Sequence, residues 1–509
     1  MSVNSESLRL PLIYTAIMVL AAVLGSALAV GAEFDTIVLI ACLGGVLVSP
    51  LILKWHRAVL FFSWNSTVGL FFLIGQSPLW ISFTVLSLVF SLAEWAILRE
   101  KRFVPTPAIL WPLSVFTLVV VVTMLARGGL GIQWMGSGAL SGGGKYVYVL
   151  CACLGYVALT GMAIPVEKAP LYYGLFFLGG LTGFVGPVAS WLGGPIGNLQ
   201  YVFNPAEGVA ASDGIFRVKG FAFTGSAIVG WLLARYGFDG VFHTRHFWRL
   251  GLLLVAILAA LLSGYRTTLV TFAVTLMILF VLERHYRTSR LLWWVAAALV
   301  FFACLIPLTP HLPTPVQRSL AFLPLPVDPA VKFDADGTVE WRENLWQALL
   351  DDVPQYFWLG KGLTVSTVDM EWAETIGRFG ADQWYRAYLT GEHHNGFLSV
   401  IISFGIWGVL SFFWLLGAGL WVLLRNYRYG LPELRSVNAY LLASYVAWAV
   451  LFFSYWGTLY WLMKDVTGLL GLSVALNGGM VDLPEGATRA WLPASFWRRN
   501  SPSESSVIH

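Results

Sequence analysis

Charge is scarce in this sequence. Only 11% of its 509 residues are Asp, Glu, Lys or Arg, against about 25% in soluble globular domains, which excludes a water-soluble globule. The formal net charge of +4 is too small to argue for a nucleic-acid partner. Cysteine is also sparse. Cys42, Cys151, Cys153 and Cys304 all lie inside apolar runs, and Cys151-Ala152-Cys153 lacks the two-residue spacing of redox or zinc pairs, so the four read as small buried hydrophobes. No internal repeat is visible, which argues against repeat-built transporter folds.

What the chain has in quantity is apolar sequence. It is 58% hydrophobic with 24 Trp and 34 Phe, and its mean hydropathy is +0.73. Apolar runs lie near 11–31, 36–53, 58–75, 79–98, 107–126, 146–164, 171–192, 222–236, 248–264, 266–282, 291–309, 396–424, 437–462 and 466–480, giving about fourteen spans (12 to 14). The expected fold is an all-α polytopic membrane protein. The first run, from Pro11 to Val30, is longer than a typical signal-peptide core and reads as a membrane helix.

Orientation follows from lysine and arginine. With a cytoplasmic N-terminus, Lys54 and Arg57, then Arg99, Lys101 and Arg102, then Lys168 fall inside. So do Arg235, Arg245 and Arg249, then Arg284, Arg287 and Arg290, then Arg425, Arg428 and Arg435, and the C-terminal Arg489, Arg498 and Arg499. Both termini are therefore expected in the cytoplasm, with residues 481–509 a disordered tail. The opposite side receives short connectors, a Gly- and Ser-rich loop at Arg127 to Lys145, a second loop at Gly193 to Gly220, and one long polar segment at 310–394. A loop that long is uncommon without a task. Trp341, Leu345 and Leu349 share a helical face within it, so it is expected to be partly folded. The domains expected are N-terminal helices to 214, a core at 215–425 that includes the loop, and C-terminal helices at 426–480.

Three sites on the outer side carry candidate chemistry. Arg266, in Ser263-Gly264-Tyr265-Arg266-Thr267, sits where two apolar runs meet with almost no connector; an arginine there either snorkels to the interface or has a partner or ligand. Arg217 lies just before the run at 222. His393-His394-Asn395 ends the long loop directly ahead of an apolar helix. A lone histidine there is often just a satisfied polar residue, and the adjacent pair beside Asn395 weakens that alternative. Together these types suit transfer of a sugar from a lipid diphosphate. The leaving group needs no general acid, arginine holds the diphosphate through paired donors, and a histidine accepts the proton of the attacking hydroxyl.

Three stretches resemble the O-antigen ligase and polysaccharide polymerase superfamily of bacterial membrane glycosyltransferases. His394-Asn395, nine residues, and Gly405-Ile406-Trp407-Gly408 is similar to its histidine–GxxG signature. Trp341 to Ala348, through Pro354 to Leu359-Gly360-Lys361-Gly362, resembles its loop segment. Ser263 to Thr267 resembles its serine-then-arginine helix start. Arg217 to Gly225 matches more loosely and lacks the following Asn-Pro-Asn. The resemblance covers about 215–425 and implies a GT-C-like, inverting, metal-independent and cofactor-free enzyme at the periplasmic face of the inner membrane. Its donor would be an undecaprenyl-diphosphate glycan and its acceptor lipid A-core for a ligase, or a second lipid-linked glycan for a polymerase, with membrane lipids around it. His394, Arg266 and Arg217 are implied as catalytic, and Arg342, Asn395, His393, Lys219 and Tyr265 as substrate-binding. An ion pair of Arg342 with Glu343 or Asp351 is equally consistent.

Two rivals remain at this point. A metal-dependent transferase could use Glu33 and Asp35 as ligands for a hard cation. A lipid-linked glycan transporter or flippase also suits about fourteen spans, although its charges would be expected near the membrane middle.

Overall fold

A computed structural model describes residues 54–70, 77–98, 103–104, 106–129, 143–203, 209–212, 215–243, 245–287, 290–365 and 383–482, with single positions between 368 and 375. Arg9, the runs at 11–31 and 36–53, Glu33, Asp35, most of the Gly/Ser-rich loop and the tail lie outside the described residues. The chain divides into two compact units, residues 1–60 and 61–509. In the first, residues 54–60 are helical; every element named below belongs to the second.

Backbone groups in lipid must pair within their own segment, so the apolar runs become helices. They are α1 Leu79–Leu98, α2 Pro107–Ala126, α3 Gly144–Leu159, α4 Ala169–Leu178 and α5 Val185–Leu192, then α6 Lys219–Val241, α7 Phe247–Leu262, α8 Arg266–Leu282 and α9 Arg290–Leu308. The long polar segment contributes α10 Thr314–Leu320, α11 Pro329–Tyr356 and α12 Gln383–Thr390, and the chain ends with α13 Gly396–Tyr429, α14 Arg435–Leu451 and α15 Leu459–Asn477. Among the described residues, 7 helices are long and apolar enough to cross a membrane; α3, α7 and α8 are apolar but shorter. The chain is a polytopic helical membrane protein.

The structure departs from the expectations above in four places. Val209–Ser212 (β1) and Ile215–Val218 (β2) form an antiparallel hairpin within the stretch expected as the loop Gly193 to Gly220, in a fold expected to be all-α. The run at 58–75 leaves helical geometry after Asn65. Lys464 and Asp465, which read as a connector between two spans, lie inside α15. The true break is a π-helical turn at Phe452–Trp456 followed by Gly457 at φ 56. Cys304 is exposed, not buried, because little of α9 is covered by the bundle.

Two features of the polar segment position the site. Helix α11 starts with Asp328 capping the Ala330 N–H at 2.8 Å and Pro329 in the first turn. It buries Val331, Ala335, Leu345 and Leu349 along one face, so the expected Leu345/Leu349 stripe is present. Each buried leucine contributes about 1.5–3 kcal/mol.

The turn Leu359-Gly360-Lys361-Gly362 then plugs a break in α13. Gly405 has φ 64, which interrupts that helix. The Lys361 N–H donates to the Ile402 carbonyl at 2.6 Å, Gly362 N–H to Ser403 at 3.0 Å, and Ile406 N–H to Phe357 at 2.7 Å. Gly360 must be glycine, because a Cβ there would lie 2.3 Å from the Ser403 oxygen.

Candidate functional site

His394 stands in a turn built to hold an uncomfortable backbone. Gly391 has φ 69 and His394 itself φ 49, a left-handed conformation that costs a non-glycine residue about 1–2 kcal/mol. Three neighbours fix it. The backbone of Gly457 packs so closely that a Cβ would lie 1.9 Å from the Asn395 nitrogen and 2.4 Å from the His394 carbonyl carbon. Trp346 Nε1 donates to the His393 carbonyl at 3.1 Å. Asn395 spends its side chain on capping α13, its Oδ1 accepting from Leu398 N–H at 3.1 Å. Backbone strain of this kind gathers at functional sites.

The two histidine rings differ. His393 is buried, and desolvation, with Lys145 and Lys361 nearby, pushes it down to about 3. The His394 side chain retains 21% exposure, with Nε2 4.0 Å from Glu392 Oε2. Its ring meets Trp341 edge-on, centroids 5.1 Å apart. Burial, with the Arg342 guanidinium nearby, lowers it to about 4 against the opposing pull of Glu392. Its Nδ1 is buried and lacks a hydrogen-bond partner among the described residues. Both rings are therefore neutral at neutral pH, and His394 is the reachable one.

A cationic rim surrounds the turn. Lys145, at the start of α3, is enclosed; its Nζ donates to the Thr390 carbonyl and sits 5.4 Å from the Tyr460 ring centroid. The Tyr460 hydroxyl lies 3.4 Å from Glu392 Oε1. Lys361 stands over Tyr388 at 5.2 Å, and Tyr388 donates to Asp352 Oδ2 at 2.7 Å.

Arg266 opens α8 and is buried. The turn before it depends on Gly264 at φ 73 and on Ser263, whose carbonyl accepts from Val218 N–H at 3.1 Å. Arg266 Nη2 donates to the Ala335 carbonyl of α11 at 3.2 Å. Beside it Arg318 Nε pairs with Asp334 Oδ2 at 2.6 Å and Nη1 donates to the Gly264 carbonyl at 2.8 Å. One helix thus reaches both groups. Ala335 touches Arg266, and six residues on, about 9 Å along the axis, Trp341 touches His394.

Next to the Arg266 turn lies a cavity of about 290 Å³ whose lining includes Lys219, Tyr265, Phe272, Tyr440, Trp461, Lys464 and Asp465. Lys219 sits 4.9 Å over Trp461. Consecutive residues of α15 therefore face two places: Tyr460 reaches Glu392, and Trp461 walls the cavity.

Not every expected residue is placed there. Arg217 pairs through its backbone with Ala210 in the hairpin; its side chain lies outside what the structure describes. Asp239, Glu283 and His285 gather at the far end of α6 and α8, with ligand atoms within 4.8 Å of one another. Glu283 there accepts from the N–H groups of Phe238 at 2.8 Å and Asp239 at 3.1 Å, capping the restart of α6 after Gly237. That capping accounts for the cluster.

Residues 251–413 match the family model described as O-antigen ligase. That region is similar to the O-antigen ligase domain, which supports the O-antigen ligase and polysaccharide polymerase superfamily. Arg266, Trp341, Arg342 and His394 all fall within the matched O-antigen ligase domain, whereas Lys145, Lys219, Tyr460 and Lys464 come from outside it. A search of curated proteins gives no significant match. Sequence reasoning missed Glu392, Lys145, Lys361, Lys464 and Tyr460. The lysines carried a legible signal, since an ionisable residue within or beside an apolar run needs a reason to be there. Tyr460 carried none.

Proposed function

We propose that this protein catalyses inverting, metal-independent transfer of a glycan from an undecaprenyl-diphosphate carrier to an acceptor hydroxyl at the periplasmic face of the inner membrane. The acceptor in this reading is lipid A-core, as in an O-antigen ligase, and the architecture is GT-C-like. The observation that carries the reading is the double attachment of α11, with the guanidinium of Arg266 at Ala335 and the imidazole of His394 at Trp341.

In this reading Arg266 holds the diphosphate through planar paired donors, and Arg217 and Lys219 also engage the donor. The first prenyl units lie in the cavity below Tyr265 and Lys219, with its aromatic walls. The acceptor hydroxyl meets His394, which removes its proton as the oxygen attacks the anomeric carbon. The carbon–phosphate oxygen bond breaks from the opposite face, and its electrons leave with the diphosphate. Arginine stabilisation of that charge in a poorly solvated cleft supplies a large electrostatic share of the rate. Arg342, His393 and Asn395 shape the acceptor side.

Purified protein in nanodiscs, given a defined lipid-linked donor with lipid A-core or with a second donor molecule, tests this. One added band on lipid A-core supports the ligase reading, and a ladder on lipid-linked glycan supports the polymerase alternative. Movement of the donor across vesicles without bond formation would make the protein a transporter.

A further inference from the structure

Glu392 was not among the residues that the sequence brought forward, yet it is the carboxylate within ion-pair range of His394 among the described residues. We infer that Glu392 is a positioning residue for His394, its carboxylate placed to stabilise the imidazolium that forms when His394 takes the acceptor proton. This rests on the glycosyl-transfer reading above.

The geometry supports the role in three ways. First, Glu392 is held at both ends. Its N–H donates to the Ala387 carbonyl at 2.9 Å, and its Oε1 receives the Tyr460 hydroxyl at 3.4 Å, leaving Oε2 toward His394 Nε2. Tyr460 is itself buried against Lys145, whose Nζ ties down Thr390 two residues before Glu392. Secondly, the other charged side chains that act on the two histidines are positive. Arg342 on α11 faces His394, while Lys145 on α3 and Lys361 in the Gly360–Gly362 turn face the neighbouring His393. An imidazole in that company resists a proton unless a negative charge stands close. Thirdly, a gap of 4.0 Å is close enough to act through charge, and such contacts tighten when substrate arrives.

The proton balance is simple. The acceptor O–H bond breaks, an N–H bond forms on His394, and the imidazolium faces Glu392 until the proton passes to the departing diphosphate or to water. Glu392 takes no proton and acts through its charge alone, beside the Nε2 edge of the ring.

The test compares wild type with Glu392→Gln, Glu392→Asp and Tyr460→Phe in nanodiscs. In Glu392→Gln, kcat is expected to fall roughly 10- to 100-fold, a part of the 10²–10⁴ that general-base catalysis supplies, with KM nearly unchanged. The acid limb of kcat/KM should move to lower pH, Glu392→Asp should recover part of the rate, and Tyr460→Phe should lose less than Glu392→Gln. A second readout needs no transfer. Diethyl pyrocarbonate acylates neutral imidazole, and peptide mass spectrometry of His394 against pH should show its titration displaced downward in Glu392→Gln. An unmoved titration overturns the inference, whether activity falls or not. If the displacement appears while wild type transfers no glycan, the inference stands and the glycosyl-transfer reading fails.

Discussion

The indole of Trp341 meets the imidazole of His394 edge-on, at 84° and 5.1 Å between centroids. A segment outside the apolar runs thereby touches a residue at the mouth of a long apolar helix. Because Trp341 and the Arg266 partner Ala335 ride on one helix, displacing α11 disturbs the surroundings of both Arg266 and His394.

Replacing His394 with alanine removes the proposed base without touching the Asn395 cap. Glycan transfer should fall by at least about 10²-fold, while membrane insertion and elution as a single species remain as in wild type. A gel assay with defined donor and size-exclusion chromatography measure the two. Full activity in this variant would take His394 out of the mechanism.

Arg266→Lys keeps a positive charge and loses the fork that bonds Ala335 and fits a diphosphate. A charge-assisted hydrogen bond is worth about 1.5–3 kcal/mol, so kcat/KM should drop roughly 10- to 100-fold. Steady-state kinetics on the lipid-linked donor check this, and wild-type turnover would reduce the arginine to an interfacial anchor.

Acid should affect rate and stability differently from an ordinary histidine protein. His394 is held down to about 4 by burial and Arg342, so the neutral base persists below the usual imidazole range and the acid limb of kcat/KM should lie well under pH 6.5. For stability, both histidines bind protons less readily when folded than when unfolded. Between their folded values and about 6.5 the unfolded chain holds more protons, so stability rises with pH there and is lost as pH falls from 6.5 toward about 4 for His394 and about 3 for His393. Thermal melts in detergent from pH 7 to pH 4 should show a steady fall in Tm.

Gly360→Ala and Gly457→Ala each force a Cβ into neighbouring backbone at a left-handed φ. The conformation alone costs about 1–2 kcal/mol, and the clash adds to it. Both should lower Tm by several degrees; Gly457→Ala should also reduce transfer, since its neighbour is the His394 peptide. Thermal unfolding and the gel assay report the two effects.

Topology is testable with single cysteines at Asp336 and Arg287, placed in a chain cleared of its own cysteines because Cys304 is exposed. An impermeant maleimide added to intact cells should label the first and spare the second. The reverse pattern would turn the site to the cytoplasm.

How much of this was written in the sequence depends on the residue. Arg266 and His394 were legible because each places a charged or titratable group at the end of an apolar run, where burial is costly without a purpose. The Leu345/Leu349 stripe was legible from helical spacing alone. Lys464 is misplaced for the opposite reason: two adjacent charges look like a connector, and what holds them inside a helix is tertiary, the cavity they line and the Trp80 ring beside Lys464. Glu392 was adjacent to the histidines in plain view. Nothing local distinguishes a solvated carboxylate from one pinned by a tyrosine 68 residues away. The turn Gly360-Lys361-Gly362 and the glycine at 405 stood out separately, but their union across the α13 break is tertiary.

That union has a consequence for assembly. Helix α13 cannot complete its own ladder at Gly405; three of the missing links come from the strand of chain at 357–362. The polar segment is therefore a structural insert in the bundle as well as a cover, and it has to dock before this part of the bilayer-embedded scaffold is fully satisfied. Grafting the segment between relatives should succeed only when the short stretch from Phe357 to Gly362 travels together with its recipient groove.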